Sequence, residues 1–185
     1  MSSTPLQEAL SLIASQSPLL SAEGLNKLNQ LAFNTCMLPQ MKVEAGQVGA
    51  IAAIVDAMTR SQENGSIQED GCRTLRTVAF HCEPNLNLVQ HQGAIDAVAT
   101  ALQLHGANEA VVAEGFWALV VFCANHRKTI LACLQPSMPW INGFATLDGN
   151  TVVAKGLVNV TEVMATHAAN AEIQKKGMFL QVLFG

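Results

Sequence analysis

The chain has 185 residues, half of them apolar and 13% charged, with a formal net charge of −4. That length suits one compact domain or one short repeat array with ample material for a core. The mild acidity leaves no basic stripe to neutralise phosphates, which argues against nucleic-acid binding, and no uninterrupted run of about 18 apolar residues reads as a membrane span.

Met1 to Gln16 has neither the basic start nor the apolar centre of a secretory signal, and it carries Glu8 and no Arg. Pro5-Leu6-Gln7-Glu8-Ala9-Leu10 instead predicts a short helix with Leu6, Leu10 and Ile13 on one side, and Pro18 begins the next helical region. That region contains the phrase Glu23-Gly24-Leu25-Asn26-Lys27-Leu28. Gly49-Ala50-Ile51-Ala52-Ala53-Ile54 then reads as a sharp corner into another helix, because glycine permits the turn. Glu63-Asn64-Gly65-Ser66 is a loop, and Asp70-Gly71-Cys72-Arg73-Thr74-Leu75 repeats the first phrase.

The clearest unit runs from Glu83 to His126. Pro84 opens a helix over Asn85–His91, and Gly93-Ala94-Ile95-Asp96-Ala97-Val98 makes the corner. Ile95, Val98, Ala99 and Leu102 fall at helical spacing, Gly106-Ala107-Asn108 is a loop, and a third helix is predicted over Glu109–Ala124. It carries Glu114-Gly115-Phe116-Trp117-Ala118-Leu119. Between Cys133 and Asn150, Pro136 and Pro139 shorten or tilt the expected second helix. Asp148-Gly149-Asn150 reads as an ordinary turn. Lys155-Gly156-Leu157-Val158-Asn159-Val160 supplies a fourth copy of the phrase, and Gly177-Met178-Phe179-Leu180 reads as a last corner, with no third helix after it.

The four glycines step by 47, 44 and 41 positions, a period that marks stacked helical repeats. At 100° per residue, places 0, 4, 7 and 8 counted from each glycine share one face. Place 4 holds Leu28, Leu75, Leu119 and Val160; place 7 holds Leu31, Val78, Phe122 and Val163. This is the predicted buried face. Its glycines are expected where a neighbouring helix leaves no room for Cβ. The opposite strip carries Asn26, Arg73, Trp117 and Val158 at place 2, Gln30, Thr77, Val121 and Glu162 at place 6, and Phe33 and Phe80 at place 9.

The corner at Gly93 and the third-helix start at Glu114-Gly115 resemble the armadillo repeat family, over about Ala22 to the C-terminus. The resemblance implies an all-α, right-handed superhelix (an armadillo-like solenoid) of three to four three-helix repeats, whose third helices line a groove for extended peptides. The expected division is a degenerate N-terminal cap at 1–38, repeats at 39–82 and 83–126, a degenerate repeat at 127–167 and a truncated one at 168–185. Importin-alpha members carry Trp at place 2 and Asn at place 6 of successive third helices. Here only Trp117 matches, so binding of basic import signals is not implied.

No His-Glu-x-x-His pattern, Walker loop or Gly-rich dinucleotide fingerprint is present, and the five cysteines show no C-x-x-C spacing. No catalytic residue, cofactor or metal is therefore expected. The cysteine usage suits a reducing, intracellular and cytoplasmic setting. The expectation is a non-enzymatic scaffold that binds a protein or peptide along Asn26, Gln30, Phe33, Arg73, Thr77, Phe80, Trp117, Val121 and Glu162. The alternative is a structural subunit of a larger assembly, docked through its convex surface and an apolar C-terminal end at Phe179, Leu180, Leu183 and Phe184, which also offers a homo-oligomer contact.

Overall fold

Local signals start and stop several of the helices close to where the sequence places them. The computed structural model describes residues 3–34, 39–124, 143–147, 150–154 and 158–184. Helix α1 (Pro5–Ile13) opens on a reciprocal cap. The Gln7 N–H donates to Thr4 Oγ1 at 3.2 Å and the Thr4 N–H to Gln7 Oε1 at 3.0 Å. Helix α2 covers Pro18–Asn34, α3 Pro39–Gln47 and α4 Ala50–Arg60. Helix α5 spans Gly65–Ala79, α6 Glu83–His91, α7 Ala94–Leu104 and α8 Glu109–Cys123. The two expected corners are real: Gly49 and Gly93 have φ of +86° and +74°, a region that a side chain disfavours.

After α8 the chain departs from a purely helical plan. Strands β1 (Gly143–Leu147) and β2 (Asn150–Ala154) form an antiparallel hairpin with Leu147 opposite Asn150. Asp148 and Gly149 of the expected turn lie outside the described residues. Helices α9 (Val160–Thr166) and α10 (Ala171–Phe184) follow. Pro136, Pro139 and Gly156 lie outside the described residues.

Helices of like position pack in succession. Helix α1 pairs with α2, α4 with α5, α7 with α8 and α9 with α10. Then α2 lies beside α5, α5 beside α8, and α8 beside α10. The glycines explain the close pairing. A Cβ on Gly71 would sit 2.5 Å from Met58 Cγ, one on Gly115 2.8 Å from Leu102 Cδ2, and one on Gly177 2.5 Å from Met164 Cγ. At Gly24 the obstacle is backbone, the Ile13 nitrogen at 2.6 Å. On the predicted face of the first three of these helices, Leu28, Leu75, Val78, Leu119 and Phe122 have almost no exposure, whereas Leu31 is only partly covered.

Gly177 corrects the sequence reading. It is not a corner before a second helix; it lies inside α10, in the place that Gly71 and Gly115 hold in α5 and α8. The surrounding polar groups repeat as well. Asn64, Asn108 and Asn170 each stand seven residues before such a glycine and accept a hydrogen bond from a backbone N–H at their helix start. The Gln68 amide donates to the Met58 and Ser61 carbonyls at 3.0 and 2.9 Å. Gln174 repeats this on Met164 and His167 at 2.8 and 3.1 Å. Loop histidines tie one pair to the one before: His105 Nε2 meets the Gln62 carbonyl and His167 Nε2 the Gly106 carbonyl, both at 2.6 Å. The boundary expected at 167/168 thus falls between two helices that pack as α4 does on α5.

Candidate functional site

Trp117 projects from α8 toward the strip expected to bind a partner, and 39% of it is exposed. Both flanking helices send a cation to its indole. The Arg76 guanidinium, from α5, lies 3.8 Å from the ring centre, and the Lys176 ammonium, from α10, lies 4.0 Å away. Such contacts contribute about 0.5–1 kcal/mol at exposed sites and more where water is excluded.

Acidic groups hold those cations in place. Glu114, one turn before Trp117, accepts from Arg73 Nε at 3.2 Å and from Arg76 Nε at 3.1 Å. Arg73 also pairs with Asp70 at 2.8 Å and with Glu69. Lys176 pairs with Glu172 at 3.1 Å. Burial pushes the Asp70 carboxyl above its ordinary value, with the neighbouring Arg73 charge pulling the other way. Arg73 and Arg76 are therefore neutralised within the chain.

Beside the indole a groove of about 460 Å³ opens between α5, α6 and α8, lined by Phe80, His81, Leu86, Trp117 and Val121 among others. Its floor is built by the α5–α6 corner. His81 takes a left-handed φ of +52° there, and its ring meets the Phe80 ring edge-on at 4.1 Å between centroids. The nearly buried Lys42 donates from Nζ to the Phe80 carbonyl at 2.9 Å and so fixes the end of α5.

Of the sequence-predicted strip, Phe80, Trp117 and Val121 thus share one groove, with Phe80 exposed and Val121 mostly covered. Thr77 is buried, and its hydroxyl donates to the Arg73 carbonyl at 2.9 Å, so it is already engaged. Asn26, Gln30 and the well-exposed Phe33 lie on α2, on the far side of α5 from Trp117. Glu162 is not on this strip. It belongs to α9 and lines a separate cleft with Leu102 and Gly106, because α9 takes the place of a second helix. At the C-terminal end, Phe179 is exposed, Leu180 is fully buried in the core and Leu183 packs against it; the Phe184 side chain lies outside the described residues.

Sequence reasoning missed Glu114, Lys176, His81 and Leu86 as parts of this site. Of the ion pairs around the indole, Glu69–Arg73, Asp70–Arg73 and Glu172–Lys176, three or four apart on one helix, were readable. The other partners meet across helices. As for chemistry, complete burial pushes the Cys72 thiol far up, which keeps it protonated and inert. Among the described residues no three His, Cys, Asp or Glu side chains gather as a metal site, and no helix is long and apolar enough to cross a membrane. No family model, curated protein or solved structure matches this chain.

Proposed function

We propose that this chain is a non-catalytic, armadillo-type α-solenoid that binds an extended peptide or a partner helix at the Trp117 groove. The observation that carries this reading is the meeting of Phe80, Trp117 and Val121 from adjacent third helices around one open cleft. Exposed aromatic side chains on a rigid helical frame are the usual anchors of protein recognition. The serial packing of α2, α5, α8 and α10 supports the solenoid part of the proposal. Because Arg76 and Lys176 already cover the indole, the groove suits an apolar side chain better than a lysine or arginine. Selection of displayed peptides on the wild-type protein, followed by titration on Trp117→Ala, tests the proposal. Loss of binding by tenfold or more, about 1.4 kcal/mol, with an unchanged circular dichroism spectrum supports it. Equal affinity for the variant overturns it.

A second reading, a subunit docked through its C-terminal end, draws on the apolar groups that α10 leaves exposed: Met178, Phe179 and Val182.

A further inference from the structure

Helices α4 and α7 enclose another cleft, of about 250 Å³, that shares no residue with the Trp117 groove. Its buried lining is Met58 and Gln68; Val55, Thr59, Asp96 and Thr100 complete it nearer to solvent.

The polar groups of this cleft have already placed their hydrogens. Both N–H bonds of the Gln68 amide go to carbonyls, those of Met58 and Ser61 at 3.0 and 2.9 Å. Only its Oε1 is left to interact, as an acceptor, and among the described residues no donor reaches that oxygen. The Thr59 hydroxyl donates to the Val55 carbonyl at 2.8 Å, which leaves its oxygen as an acceptor too. Asp96 has no ion pair among the described residues. It keeps contact with water, but partial burial pushes its carboxyl above the ordinary value, and no neighbouring cation opposes this. Arg60, the one cation in α4 or α7, is engaged elsewhere, on the Ile13 carbonyl at 2.9 Å. A buried amide oxygen, a hydroxyl oxygen and a carboxylate thus face one cleft beside the apolar Val55 and Met58.

We infer that this cleft binds an arginine or lysine side chain of a partner protein. A guanidinium or ammonium group carries several N–H donors and no acceptor, the complement of what Gln68, Thr59 and Asp96 present. Its alkyl stem has Val55 and Met58 to lie against. The volume is below the roughly 300–1,000 Å³ of sites that enclose a free small molecule, and it suits a single side chain. Negative charge alone does not make the site. The cleft that holds Glu162 has Val112 where this one has Gln68, three residues before the helical glycine, so the buried acceptor is replaced by an apolar group. The inference goes beyond the Trp117 groove reading and does not depend on it.

Amide NMR resonances of the labelled protein test it with three probes: the capped peptide Gly-Gly-Arg-Gly-Gly, the same peptide with norleucine for arginine, and butylguanidine. The expected result is a saturable shift of the amides in 55–62 and 93–100 with the arginine peptide, a weaker one with butylguanidine and none with the norleucine peptide. Asp96→Asn is expected to weaken the arginine peptide about tenfold, and Trp117→Ala to leave its affinity unchanged. Asp96 and Trp117 are both exposed, so both variants are expected to keep the helical content of wild type, which circular dichroism checks. No response to the arginine peptide overturns the inference, as does an equal response to the norleucine peptide or an unchanged affinity in Asp96→Asn. A response to butylguanidine without one to the arginine peptide rejects the partner side chain. Shifts as large around Glu162 as around Asp96 also overturn it, because they mark general attraction to an acidic surface. Binding lost in Trp117→Ala overturns it too and moves the contact to the groove.

Discussion

The Arg76 guanidinium lies 3.8 Å from the centre of the Trp117 ring, and the same guanidinium is held by Glu114 one turn earlier on the helix that carries the tryptophan. The groove's main aromatic is therefore positioned by a charge network, and the network is a point of leverage on it.

Glu114→Gln is expected to lower stability by about 1–2 kcal/mol, because it weakens charge-assisted hydrogen bonds to two arginines in a partly buried setting. Glu8→Gln, which removes only an exposed partner of Lys27, is expected to change stability far less. Urea unfolding of the two variants side by side checks the contrast.

Gly24→Ala is expected to be the most damaging of the helical glycine substitutions, by about 1–3 kcal/mol. Its Cβ meets the rigid backbone of Ile13 and Ala9, whereas at Gly71 it meets the flexible Met58 side chain. Gly71→Ala is expected to cost less, as Met58 repacks. Thermal unfolding of both variants gives the order.

Asp70 supplies a pH dependence with a definite sign. Its folded-state pKa is raised above 3.8, first by burial. Its contribution is then fully present below 3.8 and is lost as pH rises through the raised value. Asp70→Asn, which stays neutral, is expected to gain stability over wild type as pH rises from about 3 to about 7. Thermal midpoints at both ends of that range measure the gain. A gain that grows toward low pH contradicts the assignment.

Much of the helical frame was legible in the sequence, because its signals are local. Pro84, Asn64, Asn108 and the corners at Gly49 and Gly93 mark boundaries by backbone chemistry alone. The fourth helix pair was misread for a physical reason. A six-residue apolar phrase occurs in any helix that packs, so Lys155-Gly156-Leu157 matched it well. The polar signature was more specific: Asn170 and Gln174 stand before Gly177 as Asn64 and Gln68 stand before Gly71. These polar groups satisfy helix ends, and that need fixes their spacing. The hairpin was passed over because Asp148-Gly149 was read without its flanks, Phe144–Leu147 and Thr151–Ala154, which carry the β-branched and aromatic residues of strands. In the site, Trp117 and Phe80 were visible as exposed-strip aromatics, but Lys176 reaches the indole only because α10 lies beside α8, a contact between helices far apart in the chain.

The account rests on helices α2, α5, α8 and α10 lying in series. Spin labels at Asn26 and Phe179, which hold the same place in the first and last of these helices, measure that arrangement by pulsed electron resonance. Each α-helix neighbour is spaced about 8–10 Å from the next, so three steps predict a distance of about 24–30 Å, broadened by the label arms. A distance near one spacing, about 10 Å, requires the first and last helices to be neighbours in a closed bundle and contradicts the account.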